Sequence, residues 1–326
     1  MVEKILLLRL KSMGDVVLTL PAVHAVRNNF PDAKITYLVS KENAGLLRGF
    51  REVNEVIAID RAALRGGNPL KVVPEFFGLL HRLRAGKFDL VVDFHGCSET
   101  GWLARLTGAP QRWGLVYQDG RGWAYTRKIR HVSQMHAAEW HLRMLEQCGL
   151  KIGAIRNDFA LPEAAVKEAQ NWFAGQRLDP AKPTLYIQPF TSGAHKNWPL
   201  ENYLAVARHW QTAGMQIILG GGSADRAALE PLRREGWAVS AGVPLLVTAG
   251  LMQLSTLALG GDTGTLHLAV AQGKRVVMLI LSNNRGAPVP FNHPDWAVVP
   301  EPGGNISDIQ TGAVITACAQ AMEKSG

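Results

Sequence analysis

The sequence predicts an α/β fold: two Rossmann-like halves, each a parallel, doubly wound sheet, facing a central cleft. Three observations carry this. Short apolar runs alternate with segments of helical period along most of the chain. The alternation breaks at residues 153–183, a stretch with polar and proline-containing ends. Residues 254–281 read strand, glycine turn, helix, strand, the phosphate-binding layout of open α/β sheets. At 326 residues the chain is long for one domain and comfortable for two. The expected division is 1–155, a linker with a bridging helix at 156–183, and 184–326.

In the first half, residues 4–10 (KILLLRL), 34–39 (KITYLV), 55–59 and 89–93 (DLVVD) read as buried strands. Helices are expected at 16–28, with Pro21 as an interior irregularity, at 43–49, and at 69–85. A helix at 98–106 and a strand at 111–116 follow. Residues 118–135 (QDGRGWAYTRKIRHVSQM) are glycine-rich, aromatic and basic, and read as a loop. Residues 136–148 return to helical spacing. The bridge carries a helix at 163–176. The second half begins with a strand at 184–188 (TLYIQ), a helix at 200–213, a strand at 216–219, a glycine turn at 220–222 and a helix at 224–235. A strand at 254–259 then enters GGDTGTLHLAVAQG, residues 260–273, whose two glycines make the turn and whose Gly273 reads as a helix C-cap. A strand at 275–281 and a last helix at 307–324 complete the series.

Composition narrows the class. Apolar residues make up 47% and charged residues 19%, as in a soluble globular protein. Three scattered cysteines, Cys97, Cys148 and Cys318, form no CxxC, so neither a disulfide framework nor a zinc site is expected, and a reducing cytoplasm fits. The N-terminus lacks the apolar core of a signal peptide. Residues 238–261 carry no charge over 24 positions, a length that spans a bilayer, but Pro244 and four glycines favour a buried helix followed by a buried parallel strand. The net charge of +8 is unevenly placed: residues 1–155 hold 22 Lys/Arg against 14 Asp/Glu, and residues 156–326 hold 13 of each. The first half therefore suits an anionic partner, whether nucleic acid, phospholipid or acidic substrate. A basic but idle surface accounts for the charge equally well.

Three stretches carry candidate chemistry. In RLKSMGD, residues 9–15, Gly14 closes a strand-to-helix turn and Asp15 opens the helix, either as an N-cap or as a base at the sheet's ligand-binding edge. In FTSGAHKNWP, residues 190–199, the Thr191 and Ser192 hydroxyls, the Gly193 backbone and the Lys196 cation suit an anion, or form a plain solvated turn. In the turn at 260–264, the helix start faces the strand's carboxyl edge and suits the diphosphate of a nucleotide. Asp262 as a cap and His267 as a core histidine are the structural alternatives. The GGGSAD run at 220–225 lacks the third glycine of GxGxxG, and GxxxxGK[ST], GxSxG and DxD are absent. A dinucleotide reader, a P-loop NTPase and a dedicated metal carboxylate pair are disfavoured.

Taken in order, RLKSMGDVVLTLPAV, DLVVDFHG, TSGAHKNWPLENY and GGDTGTLHLAVAQG resemble the heptosyltransferases, glycosyltransferase family 9, over nearly the whole chain. The resemblance implies a GT-B fold, with the donor on the C-terminal unit and the acceptor on the N-terminal one. It implies inverting transfer of heptose from ADP-L-glycero-β-D-manno-heptose to the inner core of lipopolysaccharide, on Kdo-lipid A or a heptosyl acceptor. Asp15 matches the family's proposed base, and Lys196 its phosphate-contacting lysine. Thr191, Ser192, Asp262, Thr263, Gly264 and His267 match its donor positions. Ser12, Gly14 and His95 fall on the acceptor side, and His95 stands where many members have glutamine. Asp225 is the nearest candidate for the ribose contact, and the segment between Trp237 and Gly242 looks shorter than the family's usual strand and turn. Arg121, Arg127, Lys128 and Arg130, with Trp123 and Tyr125 among them, are the expected patch for an anionic lipopolysaccharide precursor and for the membrane surface. No cofactor, metal or nucleic acid is expected, and the expected location is cytoplasmic, peripheral on the inner face of the inner membrane. Three other readings stay open: a GT-B transferase using another nucleotide sugar, a Rossmann oxidoreductase, and a nucleic-acid-binding protein.

Overall fold

A computed structural model of the chain describes residues 2–66, 69–117, 119–131, 134–282 and 286–323, and of residues 69, 71, 119 and 121 the backbone alone. It divides into two compact units, Met1–Asp158 and Phe159–Gly326.

The first unit runs β1 (Lys4–Leu8), α1 (Met13–Val17), α2 (Leu20–Asn29), β2 (Lys34–Ser40), a 3-10 helix (Lys41–Gly49) and β3 (Glu55–Ile59). It continues α3 (Arg61–Arg65), α4 (Pro69–Ala85), β4 (Leu90–Asp93), α5 (Ser98–Leu106), β5 (Gln111–Val116), a 3-10 turn (Asp119–Ala124), β6 (Arg127–Arg130) and α6 (Ala137–Gln147). The six strands are parallel, in the order β3-β2-β1-β4-β5-β6. Leu6–Leu8 and Val91–Val92 are wholly buried, because helices cover both faces of such a sheet. The strand order reverses between β1 and β4, and a crevice opens at such a switch point beyond the strands' carboxyl ends.

The second unit runs α7 (Glu163–Gly175), β7 (Thr184–Gln188), a 3-10 turn (Ala194–Lys196), α8 (Leu200–Thr212), β8 (Gln216–Leu219), a 3-10 turn (Ser223–Asp225) and α9 (Arg226–Arg234). Then come β9 (Ala238–Val239), α10 (Leu245–Leu254), β10 (Leu257–Gly261), α11 (Gly264–Ala271), β11 (Val276–Leu279), β12 (Ala297–Val298) and α12 (Thr311–Glu323). Its parallel sheet has the same winding, β12-β11-β10-β7-β8-β9, with the reversal between β7 and β10. Among the described residues no helix is long and apolar enough to cross a membrane, and the uncharged stretch at 238–261 is divided among β9, α10 and β10.

Several expectations are corrected. The helix read at 16–28 is two, broken where the Thr19 hydroxyl donates to the Val16 carbonyl (2.7 Å), and Pro21 sits in the first turn of α2. A proline there forfeits no intrahelical bond. The stretch read as a loop at 118–135 contains β6, paired with β5 at the sheet's edge, where a basic strand keeps its charges in water. The helix read as a bridge is α7, and it belongs to the second unit. Its Ala169 and Phe173 are buried in that unit's core, and α10 passes so close that a Cβ on Gly250 would lie 2.6 Å from Ala169 Cβ. The strand read at 254–259 starts three residues later and ends two later, so Gly260 and Gly261 are inside β10 and the turn is Asp262–Thr263. A Cβ on Gly260 would lie 2.7 Å from the Gln188 carbonyl oxygen of β7.

Candidate active site

In the second unit, β7 and β10 bring two loops together at the switch point. After β7, the Thr191 amide donates to Asn197 Oδ1 (2.8 Å), and the Thr191 hydroxyl lies 2.8 Å from that oxygen and 2.9 Å from the Gly193 carbonyl. The hydroxyl thus shapes the loop, while Ser192 is exposed. Buried Trp198 anchors the loop's far end, its Nε1 donating to the Ile309 carbonyl at 2.9 Å.

Lys196 Nζ donates to Asp262 Oδ2 at 2.5 Å, and His267 Nε2 lies 3.2 Å from Asp262 Oδ1. Burial alone would push the Asp262 carboxyl up, but its bonds from His267 and Lys196 and their charge hold it below the usual carboxylate range. Asp262 is therefore an ionised carboxylate clamping two donors. It does not cap α11: Thr263 does, accepting the Leu266 amide on Oγ1 at 3.2 Å. The first-turn amides of Gly264 and Thr265 lie at the helix's positive end. The buried His267 Nδ1 has no hydrogen-bond partner among the described residues. A cavity of about 350 Å³ adjoins the cluster, lined by Lys196, Asp262 and an apolar wall from the end of β11, with Pro288 and Ile306. Sequence reasoning missed this wall; it took residues 275–281 as strand alone. Asp225 is not part of the cavity lining: it sits after β8 and caps its own turn, Oδ2 accepting the Gly222 amide at 2.8 Å. β9, which follows, is only two residues long.

In the first unit, Asp15 lies at the β1–β4 switch point. It is the third residue of α1, not its N-cap, and Ser12 donates both its amide and its hydroxyl to Oδ2, each at 2.9 Å. Arg9 Nη2 pairs with Oδ1 at 2.8 Å while Arg9 Nη1 donates to the Phe94 carbonyl at 2.7 Å. Burial pushes the Asp15 carboxyl up, but the Arg9 charge and the Ser12 bonds outweigh it and the group is held low. Gly14 is half-buried inside α1. His95 Nδ1 accepts the Leu10 amide at 3.3 Å, and burial, then the nearby Arg9 charge, push its pKa down to about 4. The ring is neutral and carries its proton on Nε2. The loop bearing His95 is held by buried Asp93, which accepts from the His95 amide (2.8 Å), the Gly96 amide (3.1 Å) and the Tyr125 hydroxyl (2.6 Å).

The basic patch expected around residues 121–130 is dispersed. Arg127 lies over Trp113 at 5.7 Å and donates to the Cys148 carbonyl. Lys128 points to the opposite face of β6 and packs against Gly122, and Arg130 is at the exposed end of the strand. Tyr125 is in the core, and the Arg121 side chain lies outside the described residues. The sequence reading missed a guanidinium cluster after β3: Arg61 binds Glu99 through Nε (3.0 Å) and Nη2 (2.7 Å), and Arg65 joins the same carboxylate at 3.0 Å. It also missed Tyr117, stacked on His131 at 4.4 Å. These residues come from separate strand ends and share no local motif.

Comparison with known proteins agrees with this geometry. The family described as Glycosyltransferase family 9 (heptosyltransferase) matches residues 76–299. The lipopolysaccharide core heptosyltransferase OpsX of Haemophilus influenzae is 23% identical over 306 residues, 91% of this chain and 84% of that one. A solved glycosyl transferase family 9 structure from Veillonella parvula superposes with a TM-score of 0.87 at 22% identity, covering 99% of this chain and 97% of that one. The E. coli heptosyltransferase WaaC with ADP-2-deoxy-2-fluoro heptose does so with a TM-score of 0.78 at 21% identity, covering 99% and 100%. At these identities the structural likeness is one of fold, and the fold is the GT-B one that the resemblance implied. With more than half its length matched, the chain belongs to glycosyltransferase family 9, the heptosyltransferases.

Proposed function

We propose that this enzyme transfers heptose from ADP-heptose, with inversion, to an inner-core acceptor of lipopolysaccharide, working peripherally at the inner face of the inner membrane. The observation that carries the donor half is the Lys196–Asp262–His267 cluster at the start of α11, beside a cavity with an apolar wall. A sugar nucleotide's diphosphate gains charge as the glycosidic bond breaks. Lys196 has three N–H donors, so it keeps Asp262 and still donates to a phosphate. The Gly264 and Thr265 amides add fixed donors, each worth about 3 kcal/mol when well placed. The apolar wall suits the flat base of the nucleotide. The names of the relatives, a lipopolysaccharide core heptosyltransferase and a heptosyltransferase with an ADP-heptose analogue, support the same donor and acceptor class.

Asp15 serves in this reading as the base. Arg9 and Ser12 keep it ionised and therefore weakly basic. It takes the acceptor proton only late, as the leaving diphosphate departs and the attacking hydroxyl becomes acidic. Such assistance contributes about 10²–10⁴-fold. Neutral His95 and the guanidinium pair Arg61 and Arg65 line the same strand ends and suit an acidic sugar acceptor.

A transfer assay tests the reading, with ADP-heptose, a UDP-sugar and a GDP-sugar each offered to truncated core acceptors. ADP-heptose should be the productive donor. Turnover with a UDP- or GDP-sugar in its place would move the chain to another donor within the same fold.

A further inference from the structure

α4 carries an apolar face that the fold leaves in water. Leu70, Val73 and Phe77 recur at helical spacing and are 84%, 49% and 61% exposed, with Phe76 beside them at 40%. α5 packs next to α4, Arg84 Nε reaching the Leu106 carbonyl at 3.5 Å. α5 presents half-exposed Trp102, which meets Trp123 edge-to-face at 4.5 Å. Neither face is explained by the sugar chemistry. Soluble monomers rarely expose contiguous apolar patches of this kind without a use for them.

Charge selects the occupant. Residues 61–105 hold seven Lys/Arg against four Asp/Glu. Those four acids are engaged: Asp93 is buried, Asp89 accepts the Glu3 and Lys4 amides, Glu99 is clamped by Arg61 and Arg65, and Glu75 faces the Asp60 amide. Of the exposed cations, Arg84 lies on the ridge's side of α4 and Arg105 on Trp102's side of α5. A second copy of this chain would bring an equally basic face against them. An apolar ridge flanked by cations and by tryptophans, which favour the water–lipid boundary, fits an anionic phospholipid surface.

We infer that the outward face of α4, with the Trp102–Trp123 pair beside it, is the surface by which this protein docks on an anionic bilayer. α4 and α5 begin at the carboxyl edge of the first sheet, so docking there holds that edge close to the membrane. This deepens the proposed reading and rests on it for the lipid-borne acceptor. The surface itself is independent of which sugar is transferred.

The test is co-sedimentation of the full chain with vesicles of phosphatidylethanolamine and phosphatidylglycerol, against vesicles of phosphatidylcholine alone. Binding to the anionic vesicles is expected. It should weaken about tenfold or more in V73D/F77D, since each large apolar side chain and each cation contributes measurably to partitioning. R84E/R105E should weaken it too, and salt should do the same. Both pairs are outside the proposed donor and acceptor residues, so ADP binding and transfer to a short, lipid-free acceptor should stay at wild-type levels; that soluble assay separates failure of this inference from failure of the proposed function. A wild-type chain that ignores anionic vesicles overturns the inference, as does V73D/F77D binding as tightly as wild type. So does a wild-type dimer in sedimentation equilibrium that V73D/F77D dissociates, which would mean that a second copy covers the face.

Discussion

Lys196 Nζ lies 2.5 Å from Asp262 Oδ2, although 66 residues separate the two in sequence. The pair exists because β7 and β10 are neighbours in the sheet and both end at the same edge. The lysine is thereby aimed at the start of α11 before any ligand arrives.

Lys196→Ala removes that cation and leaves Asp262 facing an incoming diphosphate with one donor fewer. ADP affinity should fall by about 10- to 100-fold, the range for a lost charge-assisted hydrogen bond, and transfer should slow as well. Titration calorimetry with ADP reads the first effect. An unchanged affinity would take Lys196 out of the phosphate site.

Asp15→Asn keeps the shape of the carboxyl and removes its capacity to accept a proton. Transfer should drop by about 10²–10⁴-fold while ADP affinity stays within about twofold. Because Asp15 also accepts two bonds from Ser12, the thermal midpoint must be measured on the same sample. A well-folded variant that retains most of its turnover would make Asp15 a helix-end residue alone.

Gly260→Ala tests the packing of β10 on β7. The new methyl would lie 2.7 Å from the Gln188 carbonyl oxygen and 2.9 Å from Leu266 Cδ2. Backbone on one side leaves little room to relax, so a destabilisation of about 1–3 kcal/mol is expected. Denaturant unfolding checks it, and a midpoint equal to wild type would show that the strands yield.

Stability should fall on acidification through one buried and one half-buried histidine. His141 is wholly buried, Nδ1 3.2 Å from the Leu18 carbonyl, and burial, then the Arg9 charge, push its pKa down to about 3. His95 is pushed down to about 4. Both folded values lie below the unfolded value of about 6.5. Within that window the unfolded chain binds protons that the folded chain refuses. Stability is therefore fully present above about pH 6.5 and is lost as the pH falls toward 4 and 3. The unfolding midpoint of His141→Gln should vary less with pH over this range than that of wild type. Parallel slopes would assign the acid sensitivity elsewhere.

By itself the sequence determined the α/β class, two doubly wound units, most element positions, and the motif residues Asp15, Lys196, Asp262 and His267. These follow from local signals, since apolar runs, helical spacing and glycine turns act over a few residues. Tertiary structure alone decided who meets whom. It gave the cap of α11 to Thr263 and freed Asp262 to clamp Lys196 and His267. It joined the Arg9–Asp15 segment to the His95 loop, 85 residues away along the chain, a separation that hides any pattern. It buried Tyr125 against Asp93, turned Arg127 onto Trp113, and left α4's apolar face in water. Strand order and register set these pairings, and they are properties of the whole sheet that no short window of sequence contains.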